Sequence, residues 1–245
     1  HSFPTRRSSD LELAMDNAQE GVRHLEVRFA PQLHINENLS FEDVMFAVDR
    51  GLKRATEEIN RGMSGDEPPF DYGIIVIAMR FFAANFSDYY RRLFDVHPYS
   101  DPSDIIPLAS LELAKATVRL REQSEVRIVG FDLAGSESGY PAKDHEAAFD
   151  YVHEHFLNKT VHAGEAYGPE SIFQAITKLH ADRIGHALRL FDPDHIRAPE
   201  IEDRERYVSN LAQFIADNRT TIEVCLTSNM QTAPDLKEVS DHSLG

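Results

Sequence analysis

A single cysteine, Cys225, stands in 245 residues, which excludes an internal disulfide framework and suits a reducing compartment. The cytoplasm is the expected location. Basic residues are outnumbered by acidic ones, 25 to 41, for a formal net charge of −16. With no basic stripe to offset that balance, no nucleic-acid partner is expected. No apolar run approaches the roughly 18 residues that span a bilayer, and the N-terminus lacks the apolar middle region of a secretion signal. A soluble protein with no membrane partner is the expectation. Neither common Gly-rich phosphate loop is present, which weakens a nucleotide-binding open sheet. The chain is 42% hydrophobic, enough for one sizeable core, and its length fits one α/β barrel of roughly 250 residues as well as two small domains.

Six short segments rich in β-branched or aromatic residues recur: Arg23–Ala30, Tyr72–Met79, Val126–Leu133, Lys159–His162, Asp182–His186 and Thr221–Cys225. Helical patterns lie between them. Ser40 is expected to cap a helix with Phe41, Val44, Val48 and Leu52 on one face, and Asp144 to cap another with Phe149, Val152 and Phe156. Pro169 suits a helix's first turn, ahead of a stripe of Ile172, Ile176 and Leu179, and Val208, Leu211 and Ile215 form a later stripe. Such alternation predicts an α/β fold with a parallel sheet, either a closed barrel or an open doubly wound sheet. The first ten residues, His1–Asp10, have no apolar periodicity and read as a non-native leader of translated adapter sequence. The expected division is therefore 1–10 leader and 11–245 domain.

Two strand exits carry chemistry. Thr160-Val161-His162-Ala163-Gly164-Glu165 is a strand on which His162 can point into a barrel mouth as a metal ligand, Gly164 lets the chain turn sharply, and Glu165 returns toward what His162 holds. Asp182-Arg183-Ile184-Gly185-His186 follows at the interval that one intervening helix requires. Catalytic residue types at successive strand ends favour the barrel over the open sheet. A lone strand histidine is more often a core residue and a lone glutamate a surface carboxylate; it is the combination with Gly164 that reverses the odds. His153-Glu154-His155 has a chelating spelling, but in an amphipathic helical pattern residues i and i+2 diverge by about 200° and cannot share one ion.

These segments resemble the adenosine deaminase family, from about Leu11 to the last residue. The resemblance implies a (β/α)8 TIM-type barrel, here incomplete with strands 2 to 7 present, because the family's first strand with its His-X-His pair and its eighth with an Asp pair have no counterpart in the sequence. It implies one Zn2+ per site, with His162 in the place of the third zinc-binding histidine and most of the other ligands absent. Glu165 resembles the general acid that protonates the purine ring, and His186 the histidine that orients and deprotonates the attacking water. Phe131-Asp132-Leu133-Ala134-Gly135 resembles the segment whose glycine, Gly135, offers its N–H to a purine nitrogen; Ser136 departs from the family's acidic residue there, and Glu137 keeps the next one. Cys225-Leu226-Thr227-Ser228-Asn229 resembles the seventh-strand exit, with Leu226 where proline is frequent. Cys225 is read as a buried small hydrophobe, and Glu26, Arg28 and Arg80 as barrel ion pairs outside the site. The activity implied for the complete protein is hydrolytic deamination of adenosine, a small-molecule purine nucleoside, to inosine and ammonia. Two alternatives stay open: a relative acting on adenine or on a modified adenosine such as aminodeoxyfutalosine, and a catalytically inactive fragment.

Overall fold

The computed structural model describes residues 6–242, with side chains from residue 10. Six strands, β1 (His24–Phe29), β2 (Asp71–Met79), β3 (Ile128–Ala134), β4 (Asn158–Ala163), β5 (Arg183–His186) and β6 (Thr221–Glu223), form one sheet in strict sequence order. Among the described residues eight α-helices accompany them: α1 (Arg6–Gln19), α2 (Phe41–Gly62), α3 (Asp88–Val96), α4 (Pro102–Gln123), α5 (Glu146–Glu154), α6 (Pro169–Lys178), α7 (Arg204–Asn218) and α8 (Leu226–Thr232). Sequential parallel strands with helical crossovers are the α/β pattern of an incomplete TIM-type barrel. Strands β1 and β6 stand at the two ends of the order. Among the described residues no helix is long and apolar enough to cross a membrane.

The chain divides into two compact units. One comprises the described residues through Ile77 with Ala83–Tyr99 and Ala116–Gly130. In it β1 pairs with β2 in parallel from His24 opposite Asp71 to Phe29 opposite Val76. Helix α2 begins where Ser40 accepts the Asp43 N–H and the Asp43 carboxylate accepts the Ser40 N–H, a reciprocal capping box. Its expected stripe, Phe41, Val44, Val48 and Leu52, is buried, so a local cap and a 3.6-residue period together set which face of this 22-residue helix turns inward. In its last turn, the Asn60 side chain holds the Phe70 backbone through both its N–H and its carbonyl, at 2.7 and 2.9 Å, and so aligns the entry to β2. Ser87 caps α3 and donates its hydroxyl to the Gln32 carbonyl at 2.7 Å.

The other unit comprises Ala78–Phe82, Ser100–Lys115 and the described residues from Phe131 onward. Its sheet registers Thr160 with Arg183 and Ala163 with His186, and then Arg183 with Thr221. Pro169 occupies the first turn of α6, whose buried stripe is Ile172 and Ala175, with Leu179 buried at its end and Ile176 half-buried. Val208, Leu211 and Ile215 are the buried face of α7. Three expectations need correction. Asp144 caps no α-helix: it lies in a 3-10 turn, Ala142–His145, because His145 is drawn inside to bond the Ser110 hydroxyl at 2.6 Å, and α5 starts only at Glu146. Phe156 does not share the face of Phe149 and Val152; it follows the helix with φ 58° and is 88% exposed, because the left-handed turn swings it away from the stripe. The last strand stops at Glu223, and Cys225 is a half-buried residue at the head of α8, where its thiol donates to the Glu223 carbonyl at 3.6 Å. The leader reading of His1–Asp10 falls partly on residues 1–5, outside the described residues, while Arg6 to Asp10 belong to α1.

Candidate functional site

The carboxyl ends of β4 and β5 lie side by side, and that register alone sets His162 opposite Gly185 and Ala163 opposite His186. Gly185 lets the imidazole of His162 lie across its Cα, for a Cβ there would stand 3.4 Å from His162 Cγ. The rings of His162 and His186 come to 5.3 Å between centroids. Chain direction then reverses at Gly164, φ 70°, where a Cβ would fall 2.6 Å from Ile172 Cδ1, so both backbone conformation and space require glycine. The turn brings Glu165 back over the strand end, as its position after glycine predicts. Its Oε2 lies 3.8 Å from His186 Nε2, and its Oε1 accepts the Thr232 hydroxyl at 2.8 Å. His162, Glu165 and His186 are therefore brought together.

Gly135 stands at the neighbouring exit, that of β3, with φ 106°. A Cβ at Gly135 would make only ordinary contacts, 3.6 Å to Met79 and 3.7 Å to the Arg80 nitrogen; the glycine answers a backbone need rather than a crowded one. The segment is tied down by the Arg80 N–H donating to the Ala134 carbonyl at 2.8 Å.

Four further residues hold this arrangement. Asp132, fully buried on β3, bonds His162 Nδ1 at 3.0 Å. Arg80 is fully buried and donates to the carbonyls of His162 and Tyr140, each at 2.7 Å; its bonding partners are carbonyls, a correction to its reading as an ion pair. Burial pulls its pKa below the ordinary arginine value, and the charges of Glu137 and Asp132 push back. Glu137, 5% exposed, accepts the backbone N–H groups of Gly164, Glu165, Ala166 and Tyr167 at 2.8 to 3.1 Å, and the Ser171 hydroxyl. Burial pushes the Glu137 carboxyl up, yet the Ser171 hydroxyl, the backbone N–H groups of Tyr167 and Ala166 and the Arg80 charge outweigh it, and the net shift is downward. Asn229, fully buried on α8, offers its Oδ1 to His186 Nδ1 at 3.2 Å. The sequence signals for these were thin: Asp132, Glu137 and Asn229 lie inside or beside recognisable segments, but their partners are 27 to 43 residues away.

His153 and His155 behave as their helical setting requires. His153 is exposed and stacks on His180 at 4.3 Å, while His155, at the end of α5, turns its Nδ1 to the Tyr151 carbonyl at 2.7 Å. Glu26 sits 3.6 Å from His24 on β1, within the other unit.

A metal can be tested against these donors. With Nδ1 of His162 engaged by a buried carboxylate, Nε2 is the nitrogen suited to a metal, in the carboxylate–histidine pattern that supports zinc ligands. One suitable donor is not a site. Among the described residues no group of three His, Cys, Asp or Glu side chains could hold a metal ion, so this donor set does not complete the four-coordinate sphere zinc prefers.

Acid and base side chains at adjacent strand exits of an α/β barrel are the arrangement of barrel enzymes, whose chemistry sits at the carboxyl ends of the strands. The adenosine deaminase family model matches residues 7–94 and 105–244, and the chain belongs to that family. It is 33% identical over 231 residues to an adenosine deaminase of Mycobacterium avium (strain 104), a match covering 94% of this chain and 54% of the relative. The chain thus spans about half the length of the curated relatives it matches. Among solved structures, an adenine deaminase from Arthrobacter aurescens superposes with a TM-score of 0.68 at 20% identity, covering 97% of this chain and 57% of that one. An amidohydrolase from Burkhoderia ambifaria with bound Zn superposes with a TM-score of 0.66 at 15% identity, covering 94% and 50%. Both share the fold of this chain.

Proposed function

We propose that this chain carries the acid and base residues of an enzyme that hydrolyses adenosine to inosine and ammonia. The observation that supports the reading is the approach of Glu165 Oε2 to His186 Nε2, 3.8 Å, beside His162 at the adjacent exits of β4 and β5. In the proposed reaction His186 accepts a proton from the water that adds to the amino-bearing carbon, and Glu165 donates a proton to the adjacent ring nitrogen, so the ring's negative charge never develops fully. His186 then passes its proton to the amino group, which leaves as ammonia, while the new hydroxyl gives its proton back to Glu165, leaving the carbonyl of inosine beside its ring N–H and both residues in their starting states. Gly135 would present its N–H to another ring nitrogen, with no side chain of its own to keep a flat base away. Zinc belongs to the proposal through His162 alone, and no step is derived through it. The small-molecule partner is a purine nucleoside, and a reducing compartment such as the cytoplasm is consistent with the single Cys225.

Glu165→Gln tests the acid. In a version of the chain extended to the length of its relatives and supplied with zinc, inosine formation should fall by about 10²-fold or more, because an amide cannot donate the ring proton. A Glu165→Gln enzyme with unreduced turnover would overturn the assignment. Adenine and 6-N-substituted adenosines, assayed in parallel, separate the adenosine reading from its relatives; faster turnover of either would transfer the proposal to that substrate.

A further inference from the structure

We propose that Asn229 is a positioning residue that fixes the tautomer of His186. What the His186–Glu165 pair does rests on the function proposed above, but the tautomer itself stands on geometry. Asn229 is fully buried and His186 is 6% exposed, so neither has ready access to bulk water as a substitute partner. Asn229 Oδ1 lies 3.2 Å from His186 Nδ1. A carbonyl oxygen can only accept, and so Nδ1 carries the proton of the neutral ring while Nε2 keeps its lone pair. Nε2 is also the nitrogen that faces Glu165 Oε2. Without Asn229, a histidine side chain prefers the opposite tautomer, with its proton on Nε2.

The same helix serves both members of the pair. Thr232 follows Asn229 by three residues, so the two share one face of α8, and Thr232 seats Glu165 by donating its hydroxyl to Oε1 at 2.8 Å. Asn229 Nδ2 is buried with no hydrogen-bond partner in the structure, a cost normally avoided. The reversed amide would satisfy no more, since it would bury Oδ1 in place of Nδ2 and aim an N–H at His186 Nδ1. It would also demand a proton on His186 Nε2. The two orientations therefore predict opposite tautomers, and one measurement separates them.

That measurement is a long-range 1H–15N spectrum of the chain labelled at histidine, recorded where the rings are neutral, with His186 assigned by the signal lost in His186→Asn. The expected result is a proton on Nδ1 in the parent chain and its retention in Asn229→Asp, which keeps an acceptor in place. Asn229→Ala should move the majority of the population to the Nε2–H form, and Thr232→Val, which also alters α8, should leave His186 unchanged. A proton on Nε2 in the parent chain, or an Nδ1 proton undisturbed in Asn229→Ala, overturns the proposal. Should Asn229→Ala fail to fold, the parent and Asn229→Asp spectra decide the question. No turnover is involved, so failure of the deaminase reading would show separately, as adenosine left unconverted by an extended chain whose tautomer is as expected.

Discussion

Replacing Glu137 by glutamine changes one atom in a buried site and should destabilise the chain by about 2–4 kcal/mol. Glu137 Oε2 collects the N–H groups of Glu165, Ala166 and Tyr167, and Oε1 collects Gly164 N–H and the Ser171 hydroxyl. The amide keeps most by leaving its oxygen at the Oε2 position. Its NH2 then faces Gly164 N–H, a donor against a donor; the Ser171 hydroxyl can rotate and accept, whereas the backbone cannot. A buried orphaned donor costs about 1–3 kcal/mol, and the three surviving bonds together weaken by about 1 kcal/mol as their shared acceptor loses charge. Removing a buried charge recovers some desolvation, but it also withdraws from Arg80 its largest favourable charge interaction. Because the folded-state pKa of Glu137 is lowered from 4.5, its contribution is complete above that pH and is lost as pH falls through the folded value. Urea unfolding at a series of pH values should therefore show a constant gap between parent and variant at neutral pH that narrows in acid. Amide hydrogen exchange should quicken first at Gly164 through Tyr167. A gap smaller than about 0.5 kcal/mol, or one that widens below pH 4.5, would refute the reasoning.

Further outcomes follow from neighbouring contacts. Gly164→Ala should lose about 1–3 kcal/mol, from a positive φ and from a Cβ 2.6 Å from Ile172 Cδ1; adding Ile172→Val should recover part of it in chemical unfolding, and a neutral Gly164→Ala would show the turn to be otherwise built. Arg80→Met should lower stability by about 3 kcal/mol or more, since two carbonyls lose their donor and Glu137 its cation; an unchanged thermal midpoint would refute this.

Strands and caps were legible where their causes are local. The β-branched runs mark all six strands to within a few residues, and Ser40 and Pro169 stand where their own backbone chemistry puts them. Asp144 misled because the start of α5 is set by His145, which reaches Ser110 35 residues earlier. Phe156 misled because a helical period cannot announce where a left-handed residue will end it. Within the site, His162 and His186 were legible because strand register alone brings them together. Arg80 and Glu137 were not, for a buried ion bonded to backbone carbonyls or N–H groups answers to no spacing rule; any segment could have supplied those partners. Asn229 was visible as part of a recognisable exit, but its partner, 43 residues earlier, was not.

His186 and Ala187 both adopt positive φ, 69° and 48°, in a region where asparagine, aspartate and histidine are enriched and other side chains are strained. Mutagenesis at this position therefore reads two quantities at once. A substitution such as His186→Val would remove an imidazole and also load the β5 exit with backbone strain of order 1–3 kcal/mol, so the strand end could shift and carry Glu165 and Thr232 with it. His186→Asn removes the imidazole while keeping a residue at ease in that conformation. Of the two, only the asparagine variant would attribute a lost activity to the missing ring, and any survey of this exit by bulky or β-branched replacements will overstate how much of its chemistry the side chain performs.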